Sequence, residues 1–138
     1  MNFVGDIRVF RLPKFLDKQG FLVAFDGASD FKIDLRRVFV VSGHGGSVRG
    51  KHAHKALTQI LVCLRGTCRV ICDDGEARRE VLLDTPEDAL QIPPSIWAEQ
   101  HYIDSESILM VLCDLPFDES DYIRDYAEFL AYRHRQRE

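Results

Sequence analysis

The feature that most constrains this chain is the recurrence of short apolar runs, each closed by turn chemistry. Residues 21–25, 37–41, 59–64, 67–72, 80–83 and 108–113 are built mainly from Val, Ile, Leu, Phe and Cys, and each is too short for a typical globular helix. Short strands at this spacing predict an all-β sandwich or barrel. Asp73-Asp74-Gly75 reads as a hairpin turn, Arg65-Gly66 as a tighter one, and the stretch from Gly43 to Gly46 as a flexible loop. The period changes after Pro116. Tyr122, Tyr126, Phe129 and Leu130 fall at helical spacings within residues 118–132, with Glu119 and Asp121 near the start and Arg133, His134 and Arg135 at the end. That charge order complements a helix dipole, so the β domain is expected to end in a C-terminal helix. Tyr122 and Tyr126, one helical turn apart, are expected to pack this helix onto the barrel. The 138 residues suit one domain spanning 1–138.

The formal charge of -4 argues against a non-specific hold on nucleic acid, which needs a cationic face. Any anionic ligand must therefore be met by a local cluster of basic residues. Cys63, Cys68, Cys72 and Cys113 mostly lie in apolar runs and lack Cys-x-x-Cys spacing, so buried reduced thiols are expected. No run approaches the roughly 18 consecutive apolar residues of a membrane span. The amino terminus shows no charged-then-apolar leader, and the expected location is cytoplasmic.

Chemistry concentrates at His52-Ala53-His54. On a strand, residues two apart share a face, so both imidazoles are expected to look into the barrel while Ala53 points away. An imidazole near its ordinary pKa of about 6.5 suits proton transfer close to neutral pH. Gln59 and Glu99 are expected to face the cavity, Gln59 to bond a hydroxyl or orient a ring and Glu99 to fix a histidine tautomer. Trp97 follows Pro93-Pro94, a rigid turn that sets where its ring points, and is a candidate wall for a ligand.

These residues resemble the cupin signature: a Gly, five residues, His-x-His, three or four residues, Glu, six residues, Gly. Gly46, His52, His54 and Gly66 fall in register, and Gln59 occupies the glutamate position. In the second cupin motif, Pro93-Pro94-Ser95-Ile96-Trp97-Ala98, Ala98 stands where a third histidine is usual. Two imidazoles with no carboxylate and no third histidine fall short of the three protein ligands that catalytic metal sites usually have, so no metal is expected.

Within the cupins, Arg49-Gly50-Lys51-His52-Ala53-His54-Lys55 resembles the dTDP-sugar 3,4-ketoisomerases of deoxyaminosugar synthesis. The likeness runs from Gly20-Phe21-Leu22-Val23-Ala24 through Arg37-Val38-Phe39, Leu61-Val62-Cys63-Leu64-Arg65-Gly66, Asp73-Asp74-Gly75 and Pro93-Pro94-Ser95-Ile96-Trp97 to Asp121-Tyr122-Ile123-Arg124-Asp125-Tyr126. The resemblance implies a cupin-type jelly-roll β-barrel without metal or other cofactor. It also implies a homodimer, with amino-terminal strands exchanged between subunits in many members. The implied substrate is a dTDP-linked 4-keto-6-deoxyhexose, dTDP-4-keto-6-deoxyglucose in type, whose ketone moves from C4 to C3 through an enediol. Carried onto this chain, His54 is the base for the C3 proton and His52 its neighbour in the site. Arg37 and Arg49 match family positions and, with Lys51, are placed to meet the diphosphate. Arg36, Arg78 and Arg79 read as surface charges.

The chain departs from the family at Phe39-Val40, where Tyr-Tyr is usual, and at Ala98. A hydroxyl and an imidazole are thereby missing, and His44 and His101 are candidates to compensate, His101 as a substrate contact. Two other readings keep the same fold: a non-catalytic nucleotide-sugar-binding cupin, and a 3,5-epimerase-like enzyme on the same substrate class.

Overall fold

The computed structural model describes residues 1–26 and 32–137. In chain order the strands are β1 (Arg8–Arg11), β2 (Lys14–Asp17), β3 (Gly20–Val23), β4 (Arg37–His44), β5 (Val48–His54), β6 (Gln59–Arg65), β7 (Cys68–Asp73), β8 (Arg78–Leu83), β9 (Asp88–Ile92), β10 (Trp97–Tyr102), β11 (Glu106–Cys113) and β12 (Tyr122–Ile123), followed by the helix α1 (Tyr126–Gln136). Two five-stranded sheets form, in the orders β1-β9-β6-β11-β4 and β12-β5-β10-β7-β8, while β2 and β3 make a separate hairpin. Every pairing is antiparallel. The all-β jelly roll with a C-terminal helix stands as expected.

Alternation explains the layering, because successive side chains on a strand point to opposite faces. Leu61, Cys63, Leu90, Ile92, Leu109 and Val111 from the first sheet meet Cys68, Val70, Cys72, Leu83 and Ala98 from the second in one buried core. All four cysteines are buried, and burial pushes the Cys68 and Cys72 thiols up to about 12, which leaves them protonated. On the outer face of the first sheet, Leu12, Ile60, Val62, Ala89 and Leu112 form a second cluster. The outer face of the second sheet is covered by α1: Phe129 is fully buried against Ala53, Trp97 and Ile123.

Three local expectations are revised. Residues 43–44 belong to β4 rather than to a loop, because the Tyr102 ring packs against the space that a Cβ on Gly43 would fill. Only glycine permits that approach. Arg79 is not a free surface charge, since its guanidinium donates to the Ile7 carbonyl at 2.8 Å.

The third revision matters most for the site. The helix begins at Tyr126, not near residue 118, because Asp125 caps it by accepting the Glu128 N–H at 3.0 Å. Residues 119–121 form a single 3-10 turn, and Tyr122–Ile123 then pair with β5. Asp121 holds this segment there: its carboxylate accepts the Ala56 and Leu57 N–H groups at 2.7 and 3.3 Å, and its carbonyl accepts the Lys55 N–H at 2.9 Å. Tyr122 and Tyr126 therefore do not form one stripe. Tyr122 enters the barrel, and Tyr126 lies in the outer layer. No helix among the described residues is long and apolar enough to cross a membrane.

Candidate active site

The histidine strand β5 pairs with the central strand β10 on one side and the short edge strand β12 on the other. Ala98 stands directly across from His52, so the residue in the usual third-histidine position faces the pair but offers no donor. The register then shifts: Gln100 pairs with Arg49, leaving an extra residue on β5. Gly50, at φ +65°, absorbs this bulge, and a Cβ there would lie 2.7 Å from the Gln100 amide nitrogen. The bulge is what allows Arg49 and His52, an odd spacing apart, to line the same cavity.

That cavity, of about 230 Å³, is lined by Arg37, Phe39 and Val41 of β4, by Arg49, Gly50, Lys51 and His52 of β5, and by Gln59, Gln100, Tyr122 and Arg124. His54 sits directly behind the lining, 5% exposed. Its ring centroid is 4.9 Å from His52, edge to face, and 4.3 Å from Tyr122. Tyr122 pairs with His54 in the ladder and so projects to the same side.

The two imidazoles differ sharply in environment. His54 Nδ1 lies 3.1 Å from the Asp121 carboxylate. A carboxylate accepts and does not donate, so the shared proton resides on Nδ1 and the lone pair is left on Nε2. Burial lowers the His54 pKa, opposed by the hydrogen bond and charge of Asp121. No carboxylate among the described residues hydrogen-bonds His52: burial, then repulsion from His54 and Arg124, lowers its pKa to about 3, with the charge of Glu119 opposing. It is neutral at any physiological pH.

This has a consequence for stability. The unfolded chain protonates His52 near 6.5 while the folded chain resists protonation down to about 3, so the contribution is complete above pH 6.5 and is lost as pH falls toward 3. Urea unfolding is expected to show a loss of about 2 kcal/mol from His52 between roughly pH 7 and pH 5. A His52→Gln variant, which has nothing to titrate, should lose correspondingly less over that interval. An equal fall in the variant would contradict the assignment.

Cations surround the cavity despite the negative net charge. The Arg37 guanidinium is held between the Phe39 and Phe117 rings, at 4.6 and 5.1 Å, with Nη1 buried and unpartnered among the described residues. Arg124 stacks over the Tyr122 ring at 4.2 Å while its Nε and Nη2 grip Glu119 at 2.7 and 2.9 Å. With Arg49 and Lys51, these groups give the mouth a positive field suited to phosphate oxygens.

The site thus gathers His52, Arg37, Arg49, Lys51 and Gln59 around one cavity with His54 behind it. Trp97, Glu99 and His101, which were expected to face the cavity, are not among its lining residues. Alternation along β10 sends Ala98, Gln100 and Tyr102 inward and their neighbours outward. Trp97 is 4% exposed, edge-on to Tyr126 at 5.3 Å, and donates its indole N–H to Glu99 at 3.1 Å. Glu99 in turn lies 3.4 Å from His101 Nε2, so the three side chains form their own outer cluster. His44, at the far end of β4, is not among the lining residues. Asp121, Tyr122 and Arg124 are the functional candidates that strand and helix periodicity missed. Their only signal was the Asp-Tyr-Ile-Arg tail in the family resemblance.

Among the described residues no group of three His, Cys, Asp or Glu side chains is arranged to hold a metal ion. Gln59 lines the same cavity as His52, and the carboxylate beside the pair, Asp121, is engaged by His54 Nδ1 at 3.1 Å.

The family model described as FdtA, WxcM-like, C-terminal matches residues 5–134. A curated protein of Aneurinibacillus thermoaerophilus, TDP-4-oxo-6-deoxy-alpha-D-glucose-3,4-oxoisomerase, is 41% identical over 126 residues, 91% of each chain. Among solved structures, the sugar 3,4-ketoisomerase QdtA of Thermoanaerobacterium thermosaccharolyticum, in complex with TDP, superposes with a TM-score of 0.91 at 27% identity, covering 97% of this chain and 98% of that one. A histidine-to-asparagine variant of QdtA was captured with TDP-4-keto-6-deoxyglucose, at the same TM-score of 0.91. A 3,4-ketoisomerase of Helicobacter canadensis gives 0.89 at 28% identity over 94% of this chain and 98% of that one. Motif and fold agree with these matches: the chain belongs to the FdtA family of WxcM-like C-terminal domains, that of the dTDP-sugar 3,4-ketoisomerases.

Proposed function

We infer that this protein is a dTDP-sugar 3,4-ketoisomerase that moves the ketone of dTDP-4-keto-6-deoxyglucose from C4 to C3. The observation that carries the mechanism is the unlike histidine pair: His54 coupled to Asp121 at 3.1 Å beside a His52 kept neutral. His54 Nε2 takes the C3 proton. The C–H electron pair becomes the C3=C4 bond of an enediol, and the C4 carbonyl pair moves to O4, which acquires a proton. In the second half O3 loses its proton, the C3 carbonyl forms, and His54 returns a proton to C4. C3 is oxidised as C4 is reduced, so the redox change balances within the sugar. Neutral His52 suits hydrogen bonding to the oxygens, since the N–H of an uncharged imidazole can polarise a carbonyl as a donor. Arg37, Arg49 and Lys51 hold the diphosphate, and Gln59 bonds a sugar hydroxyl.

The test is incubation with dTDP-4-keto-6-deoxyglucose in heavy water, followed by NMR. A 3-keto sugar is expected, and the deuterium content at C4 reports how freely the His54 proton exchanges before its return. Binding without any new ketosugar and without exchange would make the protein a nucleotide-sugar-binding module. Exchange at C3 and C5 with the 4-ketone retained would make it an epimerase.

A homodimer completes the reading. Phe15, Leu16, Phe21 and Leu22 on β2 and β3 are 63, 75, 54 and 59% exposed. Phe15 pairs with Leu22 and Leu16 with Phe21, so both faces of this hairpin are apolar. An isolated two-stranded ribbon is marginal in water, and a second copy that receives the hairpin would cover it. Sedimentation equilibrium should give a dimer that Leu16→Lys weakens by about tenfold or more in Kd; a wild-type monomer at high concentration would defeat this proposal.

A further inference from the structure

We propose that Tyr122 is a further catalytic residue, its hydroxyl carrying the proton exchanged between the two oxygens of the reacting sugar. This rests on the isomerase reading above and supplies the hydroxyl that Phe39 lacks on the opposite wall.

Geometry singles out Tyr122 among the four tyrosines. The Tyr102 hydroxyl donates to Gln100 at 2.9 Å, and that of Tyr126 to Asp73 at 2.8 Å. Tyr132, on α1 itself, packs in the outer layer. Tyr122 lines the cavity itself, with its ring 4.9 Å from His52 and 4.3 Å from His54. It is fixed from behind by Phe117 at 5.6 Å and from one face by the Arg124 guanidinium at 4.2 Å.

The chemistry needs such a group. His54 serves the carbons, and a neutral His52 that resists protonation is a poor store for an extra proton. A phenol can give up a proton to a carbonyl oxygen that is becoming an enediol hydroxyl and recover one from its neighbour. In the first half the Tyr122 O–H bond breaks and its proton bonds to O4 as the C4 carbonyl pair arrives there. In the second half the O3–H bond breaks, its pair forms the C3 carbonyl, and the proton returns to the phenolate. The enzyme ends as it began. Between the halves the negative charge rests on a ring under Arg124. The titratable groups around that ring are His52 and His54 of β5, Arg37 of β4, and Arg124, Glu119 and Asp121 beside it; Glu119 offsets part of the Arg124 charge while fixing its plane.

The experiment compares wild type, Tyr122→Phe and protein with difluorotyrosine placed site-specifically at 122, after wild-type product formation has been established. Failure of the wild type to form the 3-keto sugar removes the isomerase reading, and this inference with it. Given turnover, Tyr122→Phe keeps the ring and its packing, and is expected to lose about 10²- to 10³-fold in kcat with TDP affinity within about threefold. A kcat within about threefold of wild type would overturn the role. Fluorination lowers the phenol pKa, so the alkaline limb of kcat should move to lower pH by a similar amount. A limb that stays in place would assign Tyr122 a packing role only, and this arm decides the matter even if the phenylalanine variant fails to fold.

Discussion

Replacing His54 with asparagine is expected to lower kcat about 10³- to 10⁴-fold while leaving TDP affinity within about threefold. His54 is asked to act twice, removing the C3 proton and delivering one to C4, so its loss strikes both halves of the reaction. Asparagine retains an N–H near the position of Nδ1 and can still bond Asp121, which should preserve the β5–β12 junction. The hydrogen bonds from Ala56 and Leu57 to Asp121 do not involve the imidazole and should survive. The measurement is steady-state turnover by NMR, with hydrogen exchange at C3 followed in heavy water. Residual exchange at the wild-type rate would transfer the role of base to His52.

Asp121→Asn is expected to cost about 10²- to 10⁴-fold in kcat through the wrong tautomer. The present carboxylate accepts the Ala56 N–H on Oδ1 at 2.7 Å and both His54 Nδ1 and the Leu57 N–H on Oδ2, at 3.1 and 3.3 Å. An amide has one oxygen, and the shorter Ala56 bond claims it. The NH₂ group then faces His54 Nδ1, which must become an acceptor, and the proton moves to Nε2, where the base is needed. The pH profile supplies an independent check. Asp121 raises the His54 pKa against burial, so its removal lowers that pKa further and the acid limb of kcat/KM should shift to lower pH. An unchanged limb and a loss of less than about threefold would show that the pair at 3.1 Å does not set the protonation of the base.

Parts of this site were legible before any fold was known. His52 and His54 share a face wherever a strand carries them, and the donor inventory at Gln59 and Ala98 does not depend on geometry. Other parts were hidden for identifiable reasons. Strand β10 carries two alternating sets, Trp97-Glu99-His101 and Ala98-Gln100-Tyr102, and each contains both apolar and polar members. Pattern alone says which residues stand together, not which set is inside. The register against Cys72 and His52 decided that in favour of Ala98, Gln100 and Tyr102. Gly50 similarly looks like any turn glycine until its bulge is seen to rotate Arg49 into the cavity. Tyr122 was misplaced by periodicity, since one strand residue four positions before a helical tyrosine mimics a helical pair.

From sequence alone, the spacing of apolar runs and turn residues determined two layers of short strands, and the His-Ala-His alternation determined that a matched pair would face one side without a full set of metal ligands. These are local consequences of backbone geometry. Tertiary structure alone decided the difference between the two rings, because Asp121 reaches His54 across 67 residues of chain, while among the described residues no carboxylate hydrogen-bonds His52. Charge, tautomer and burial are set by what lies within a few ångströms in space. Sequence order does not carry that information until the chain has closed upon itself.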